Sequence, residues 1–299
     1  MITSSQLSAA VQALNDKFRD LYKAATVPPW LDLATKVTST TLAEVYEWFG
    51  ASPEMQEITD EIPIEDILSD AMTVTNKDWG TSIKVSKNLI KDSRLGSITP
   101  KLQTLAEAAR NWQIPHLQSM ILNGAATTVW GACYDGQALF SGSHSEGESG
   151  TQDNDLAGTG TTLAQVQADL ATVVATMASW KDDKGNRVYG ISPDTIVIPP
   201  AGALIDRFRA LLQGKQAEGT GDYTDIVKRV LINPELTDLT DWYAFCTTRP
   251  IGALMYQERQ APTTGEQTMD LWTYIQYGVQ ARGNFFYGDW RCAVRTTNS

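Results

Sequence analysis

The most informative stretch of this chain is Cys133-Tyr134-Asp135-Gly136-Gln137-Ala138-Leu139-Phe140-Ser141-Gly142-Ser143-His144. It follows a helix-like segment and holds an Asp-Gly pair between two short apolar runs. Because glycine adopts positive φ without a Cβ clash, this pair predicts a tight turn, and the flanking runs favour a hairpin. We call residues 133–144 the turn segment.

The residues before the turn segment have the pattern of a long helix. Thr99-Pro100 supplies a capping hydroxyl and a proline in the first turn, and apolar residues follow at helical spacing as far as Gly124. Pro115 should bend or interrupt this helix, because proline removes a backbone donor and clashes with the preceding turn. The sequence therefore predicts a long helix that acts as a spine.

The residues after the turn segment alternate helices with strands. Thr162 and Gln165 form a capping box, Thr195–Ile198 has the pattern of a buried strand, and further strands follow a helix over 203–212. These patterns predict an α/β lobe over residues 160–250, with a polar, glycine-containing loop at 213–223 on an exposed tip. The tail after residue 250 alternates polar with apolar residues, and we expect it to pair in a sheet near the spine helix.

The pattern of the N-terminal third predicts a segment that is stable only when it packs on a neighbouring surface. Apolar residues from Leu7 to Leu21 form one stripe of an amphipathic helix. Prolines break the next segment, whose aromatic side chains we expect to be exposed; these are Trp30, Tyr46, Trp48 and Phe49. Residues 70–98 predict a two-stranded ribbon that folds back on itself around residues 76–80. A lone ribbon is marginal in water, so it should lie across another body.

Composition excludes several classes of protein. The chain has 24 basic and 35 acidic residues among 299, and this net charge of −11 argues against sequence-specific nucleic-acid recognition. It has no signal-peptide pattern or membrane-spanning apolar run, and we expect no long N-terminal segment to be removed. The three cysteines are widely spaced, which predicts buried free thiols rather than disulfides or a zinc site.

Motifs for catalysis or ligand binding are weak. His116 and His144 are the two histidines, and the absence of a nucleophile elbow around His144 favours a local structural role over catalysis. Residues 153–164 fail the calcium-loop template at its fifth and twelfth positions, and no phosphate-binding glycine loop occurs. We therefore expect no metal and no cofactor. A soluble hydrolase using His144 remains as an alternative hypothesis.

The turn segment resembles the Tyr-Asp-Gly, Phe-Ser and His signature of Mu-type major head proteins, a family of tailed-bacteriophage capsid proteins. The matching positions are Tyr134, Asp135, Gly136, Phe140 and His144. Residues 34–48 resemble the arm of that family, residues 75–85 its extended loop, and residues 90–96 the entry to its spine helix. Ser93 stands where the family has a second Asp.

The resemblance implies an α+β fold, the tailed-phage major capsid fold. Its parts would be an N-terminal helix and arm over residues 1–66 and an extended-loop β-hairpin over 67–98. A peripheral domain with the spine helix would occupy 99–160 and an axial domain 161–250. Residues 251–299 would supply C-terminal strands that return to the peripheral domain.

The resemblance also implies a non-enzymatic structural protein of the virion, assembled in the bacterial cytoplasm. Its partners would be copies of itself in hexamers and pentamers of an icosahedral head, together with scaffold, portal and decoration proteins. Double-stranded DNA would be enclosed by proximity alone, and an acidic shell would not grip it. The inter-subunit contacts that it implies are Trp48, Lys77, Trp79, Lys84, Gly219, Gly221 and Tyr223. Another phage-derived shell or a tail structural protein is the remaining alternative.

Overall fold

The computed structural model describes residues 4–49, 69–91, 95–214, 225–268 and 274–298. The helices in these ranges are α1 (Ser4–Ala24), α2 (Lys87–Lys91), α3 (Thr99–Asn111), α4 (Ile114–Leu122), α5 (Leu163–Met177) and α6 (Gly202–Leu212). The strands are β1 (Ala34–Thr38), β2 (Ala43–Phe49), β3 (Ser69–Thr75), β4 (Lys77–Ser86), β5 (Asp155–Ala157), β6 (Thr195–Ile198), β7 (Arg229–Ile232), β8 (Trp242–Phe245), β9 (Leu254–Thr268), β10 (Tyr274–Tyr287) and β11 (Ala293–Thr297).

A four-stranded sheet with the order β1-β9-β10-β4 carries helices α1 and α3 on one face. The apolar stripe of α1 packs on α3 and on the sheet, where Ile275, Tyr277 and Val279 alternate inward along β10. Tyr277 also donates its hydroxyl hydrogen to the side-chain oxygen of Asn15 at 2.8 Å. The alternation of the tail and the partner surface of α1 are thus as predicted.

The spine is interrupted, as the proline predicted. Helix α3 ends at Asn111, and α4 begins at Ile114 with Pro115 in its first turn. At that position the missing N–H of proline costs no hydrogen bond, because the first amide groups of a helix have no intrahelical acceptor. The break places the Trp112 side chain against Tyr256 and Phe285 of the four-stranded sheet.

A five-stranded sheet with the order β5-β11-β8-β6-β7 forms the second layer, with α5 and α6 packed beside it. The predicted capping box is present, since the amide of Gln165 donates to the hydroxyl of Thr162. Strand β11 pairs with β8 of the α/β lobe on one side and with β5, which lies in the range predicted for the peripheral domain, on the other. The predicted return of the whole tail to that domain stays a prediction.

The predicted ribbon over residues 70–98 is wrong in its pairing. Strand β3 pairs with β2, with Val45 opposite Thr73, whereas β4 pairs with β10 along its whole length. Both partners are distant in sequence from the predicted turn at 76–80, and Asn76 there links two sheets rather than closing a hairpin. We call β2 and β3 the β2–β3 ribbon.

The predicted exposure of two aromatic side chains is also wrong. Trp30 is only 9% exposed and lies in the main core beside Leu33. Tyr46 stacks on Phe286 of β10 with ring centroids 5.0 Å apart. The side chains of Trp48 and Phe49 lie outside the described part of the structure. The proline-broken arm therefore has its own intramolecular partners along much of its length.

Candidate functional site

The turn segment forms the predicted turn but no strands. The amide of Cys133 donates to the carbonyl of Gln137 at 2.8 Å, and Gly136 has φ 78°, a left-handed value that favours glycine. The Asp135 carboxylate accepts from the Gln137 amide at 3.1 Å, which closes an Asx turn. The segment is therefore a compact loop held by its own backbone rather than the hairpin that its apolar runs predicted.

Phe140 anchors the far side of the turn segment. Its ring is buried beside Tyr243 and Phe245 of β8, with centroids 5.2 and 6.5 Å away. Its amide donates to the carbonyl of Gly124 at 2.9 Å. A Cβ atom at Gly124 would lie 2.6 Å from the Phe140 ring, so the close approach requires glycine at the end of the spine. The motif thus fastens the spine to the five-stranded sheet.

His144 is a fully buried structural residue. Its Nδ1 lies 2.5 Å from the Asp135 carboxylate, and its ring stacks on Trp290 at 4.1 Å with an interplanar angle of 5°. Its Nε2 is buried without a hydrogen-bond partner. A general base must reach the proton that it removes, and this imidazole has 0% exposure. The geometry does not support the hydrolase hypothesis.

Arg291 joins the turn segment to the tail through buried charges. Its guanidinium donates to the hydroxyl of Tyr134 at 3.0 Å and to the Asp289 carboxylate at 3.0 Å, and it lies 3.4 Å from Glu146. Burial, partly opposed by Arg291, raises the pKa of Glu146 to about 7. Burial lowers the pKa of Arg291, but Asp289, Tyr134 and Glu146 outweigh that effect and raise it.

The β2–β3 ribbon has one covered face and one open face. Tyr46, Met72 and Val74 pack on Val37, Met255 and Phe286 of the four-stranded sheet. The opposite side presents Val45, which is 60% exposed, and Leu42, just before β2, is 67% exposed. Large apolar side chains left in water at this ribbon are a candidate contact surface.

A buried polar network holds the base of this ribbon. The Gln257 amide nitrogen donates to Asn76 Oδ1 at 2.8 Å, and Gln257 Oε1 accepts from the Tyr46 hydroxyl at 2.8 Å. The Asn76 amide nitrogen in turn donates to the Ser39 hydroxyl at 2.8 Å and to the carbonyl of Thr41 at 2.9 Å. We call Ser39, Tyr46, Asn76 and Gln257 the ribbon root.

Charge also fixes the ribbon root. The Glu44 carboxylate accepts from the amides of Thr40 and Thr41 and from the hydroxyl of Ser39. These hydrogen bonds, the Thr40 amide foremost, lower the pKa of Glu44 to about 2. A carboxylate that is ionised at all ordinary pH values therefore closes the turn between β1 and β2.

The predicted contact residues fall into two groups. Lys77 and Lys84 lie exposed on β4, whereas Trp79 is half-buried and donates from Nε1 to the carbonyl of Gly283 at 2.9 Å. Trp48 lies in β2 with its side chain outside the described residues, and so do the loop residues Gly219, Gly221 and Tyr223. Their role as contacts between subunits stays a prediction.

Trp79 belongs to an aromatic cluster at the break in the spine. Its ring centroid lies 4.3 Å from that of His116 and 5.6 Å from that of Trp112, beside a cavity of about 230 Å³. Burial, and then the charge of Lys77, lowers the pKa of His116. His116 is thus part of an aromatic packing cluster, and its structural role stays a prediction.

Sequence reasoning missed several residues that organise these regions. Gln257 and Arg291 have no motif around them, and Asn76 was noted only as part of a predicted turn, so only their burial in the folded chain reveals their roles. Among the residues that the structure describes, no group of His, Cys, Asp and Glu is placed to hold a metal ion. No helix within the described ranges has both the length and the apolarity to cross a membrane.

Comparison of the sequence with known families finds a match that covers just over half of the chain. Residues 7–165 match the family described as "Mu-like prophage major head subunit gpT". The chain is 23% identical over 302 residues to the "Mu-like prophage FluMu major head subunit" of Haemophilus influenzae, covering 98% of this chain and 73% of that protein. It is 27% identical over 112 residues to the "Major capsid protein" of Escherichia phage Mu, covering 38% and 35%.

Comparison of the structure finds capsid proteins. The procapsid protein of bacteriophage JBD30 matches with a TM-score of 0.60 and 21% identity, over 100% of this chain and 77% of that one. A virus-like particle from Pyrococcus furiosus matches with a TM-score of 0.56 and 10% identity, over 96% and 98%. At these identities the likeness establishes the fold alone, an α+β capsid fold.

Proposed function

The chain belongs to the Mu-like prophage major head subunit family, and from that premise we propose that copies of it assemble as hexamers and pentamers into the icosahedral head of a tailed bacteriophage. Members of this family are structural capsid proteins, so the chain is a head subunit and not an enzyme. Self-association is therefore its central activity, and the proposal concerns which surfaces carry it.

The observation that carries this proposal is the open face of the β2–β3 ribbon. Leu42 and Val45 together would gain on the order of 2–4 kcal/mol if a second copy covered them completely. The ribbon root fixes the direction of the ribbon, so little conformational entropy would be lost when the ribbon binds a neighbouring subunit. The ribbon thus takes the part of the extended loop that the sequence had placed at residues 67–98.

For the remaining parts we keep the expected division with two changes, the place of the ribbon and the place of β11. We propose that residues 1–42 and the ribbon reach toward neighbouring copies, and that residues 99–160 with β9 and β10 form a peripheral domain. Residues 161–250, joined by β11, would form the axial domain. Its loop at 213–223, most of which lies outside the described residues, would approach the five- and six-fold axes.

The partners are proposed on the same basis. Scaffold, portal and decoration proteins would assist a shell that assembles in the bacterial cytoplasm and ends in the virion. Double-stranded DNA would fill it without sequence-specific contacts, because a net charge of −11 per subunit repels phosphate.

Electron microscopy of the purified subunit, with its elution from a size-exclusion column, tests this proposal. Closed polyhedral shells or five- and six-fold capsomers are expected. A uniform monomer or dimer, at high subunit concentration and with its scaffold present, would contradict it. Particles that enclose a protein cargo instead of DNA would favour a different shell.

A matched pair of variants tests the ribbon surface. Val45→Asp places a charge on the open face and should abolish assembly while leaving the thermal unfolding of the subunit unchanged. Val129→Asp is the control, because Val129 is exposed to a similar degree, 56% against 60%, but does not belong to the ribbon. Normal shells from Val45→Asp would show that the ribbon face is not an assembly contact.

A further inference from the structure

Cys246 and Cys292 lie opposite each other just beyond the ends of two paired strands, Cys246 after β8 and Cys292 at the end of the 3-10 turn that precedes β11. Phe245 of β8 pairs with Ala293 of β11, so the two cysteines occupy the next opposed position. The amide of Cys246 donates to the carbonyl of Cys292 at 2.9 Å, which continues the ladder to that position. Opposed residues of antiparallel strands have Cα atoms about 4.5–5.5 Å apart, within the range of about 4.4–6.8 Å that a disulfide spans.

The two thiols face each other. The two side chains are close enough to affect each other's pKa, and Thr248 Oγ1 lies 3.4 Å from the Cys246 sulfur. The hydrogen bond from Cys292, with others from Thr248 and Ser192, outweighs burial and lowers the pKa of Cys246 to about 5. Cys133 differs, because burial raises the pKa of its thiol well above the ordinary value. Only one of the three cysteines thus has the character of a nucleophile.

We propose that Cys246 and Cys292 are a redox modification site that closes to an intramolecular disulfide when a peroxide oxidises the subunit. The Cys246 thiolate attacks one oxygen of hydrogen peroxide and becomes a sulfenic acid, releasing hydroxide. The Cys292 sulfur then attacks the Cys246 sulfur, and the sulfenic oxygen leaves as water with the proton of Cys292. Two thiols and one peroxide give one disulfide and two waters.

A surface loop covers the pair. The chain from Thr247 to Gly252 makes a series of bends rather than a helix or strand, and Thr248, Pro250 and Ile251 are exposed. Cys292 Sγ lies 3.5 Å from the carbonyl of Ile251, directly beneath this loop. Both thiols are buried, so the proposal requires this loop, which belongs to neither sheet, to move before a small oxidant reaches them.

The cross-link would tie β11 to β8 covalently. Because a disulfide restricts the unfolded chain, the midpoint of thermal unfolding should rise by about 3–6 °C in a chain of this length. If the subunit forms a head, as proposed above, the thiols would stay reduced in the host cytoplasm and oxidise once the particle is released. The modification itself does not depend on assembly.

Peptide mapping of the purified chain tests the proposal. Reduced protein is treated with hydrogen peroxide under native conditions, free thiols are blocked, and a protease digest is analysed by mass spectrometry. We expect a peptide that contains Cys246 joined to one that contains Cys292, with Cys133 unoxidised. Dithiothreitol should remove both the link and the gain in thermal stability.

Variants sharpen the test. Cys246→Ser and Cys292→Ser should each lose the link and the gain in stability, whereas Cys133→Ser should keep both. Three outcomes would overturn the proposal: oxidation of Cys246 to sulfinic acid with no link, a link between other cysteines, or a link that forms only in denaturing urea. The mapping uses unassembled wild-type subunit, so it gives a clear result even if the chain never forms shells.

Discussion

Tyr134, Asp135 and Glu146 place three ionisable side chains of one short region against the tail of the chain. Two of them reach Arg291 directly, and the third holds His144 against Trp290. Buried charges of this kind contribute little net stability as a pair but are costly to leave unpaired. Their arrangement therefore specifies which loop packs on which strand, which explains why a capsid protein carries a His–Asp pair that does no chemistry.

Stability should depend on pH through Glu146. Its pKa in the folded protein is raised from 4.5 to about 7, mainly by burial, so the fold holds a proton that the unfolded chain releases. This contribution is complete below pH 4.5 and is lost as pH rises through 7. Glu146→Gln should not show this loss. As pH rises from about 5 to about 8, the free energy of unfolding of the variant should therefore gain roughly 2–3 kcal/mol relative to that of the wild type.

Urea denaturation at several pH values measures this difference. Glu148→Gln, a change at an exposed position two residues away, is the control and should follow the wild type. If the free energies of unfolding of Glu146→Gln and the wild type change with pH in parallel across the range, Glu146 is not the buried titrating group.

Gly124 should not tolerate a side chain. Its Cβ would meet the Phe140 ring at 2.6 Å and the carbonyl of Met120 at 3.2 Å. We expect Gly124→Ala to lower the free energy of unfolding by about 1–3 kcal/mol, measured by chemical denaturation. Gly202→Ala at the start of α6 has nothing within 4 Å of the new Cβ and should be neutral or slightly stabilising. Equal effects of the two substitutions would contradict the packing that we describe.

Among the helices and strands, the sequence predicted the features that depend on contacts between residues close together in the chain. The stripe of α1, the capping box of α5 and the interruption near Pro115 all depend on contacts within a few residues, and all three are present. The pairing of β3 and β4 depends on distant strands, and the pattern around residues 76–80 gave no sign of it. Strand alternation shows which residues face a core but not which strand lies alongside.

The parts of the candidate site that depend on local contacts were likewise predictable from the sequence, and the parts that depend on distant residues were not. The positions of the signature were visible in the sequence because Gly136 and Asp135 act on their own backbone. The ribbon root was not, because Gln257 lies 181 residues from Asn76 and nothing in a single sequence couples them. Trp30 was misjudged for the same reason, since its burial comes from the main core and not from its neighbours along the chain.

Gln257 should be essential for the stability of the β2–β3 ribbon. Gln257→Leu leaves Asn76 Oδ1 and the Tyr46 hydroxyl without their buried partner, and we expect a loss of about 2–3 kcal/mol in the free energy of unfolding. Limited proteolysis should cut the variant within the ribbon before any other site. Gln280→Leu, at an exposed position of β10, is the control. Wild-type protease resistance in Gln257→Leu would show that the ribbon does not depend on its root.

At the scale of the whole molecule, one core joins the two sheets. Leu254, Tyr256, Phe285 and Tyr287 at the base of β9 and β10 pack in the same cluster as the strands of the five-stranded sheet. An ion pair between Asp32 and Arg229, 2.6 Å apart, adds a link from the arm to the lobe. The base of the long hairpin is thus part of the core, so a force applied along β9 and β10 is transmitted directly to the lobe.

Assembly should strengthen with salt. Each subunit carries a net charge of −11, so bringing copies together at low ionic strength costs repulsion that salt screens over about 10 Å at 0.1 M. We expect the lowest concentration of subunit that forms capsomers or shells to fall severalfold when sodium chloride is raised from about 20 mM to about 300 mM. Light scattering measures this threshold. A threshold that rises with salt would show that complementary charged contacts dominate the interface.

The position of β11 also sets an order of events during synthesis. This strand lies between β5 and β8 in its sheet, yet the ribosome makes it after every other strand of that sheet. Until residues 293–297 emerge, β5 has no neighbour and β8 has an open edge. The five-stranded sheet therefore closes only after its last strand in sequence has been made, so this lobe completes its folding late in synthesis.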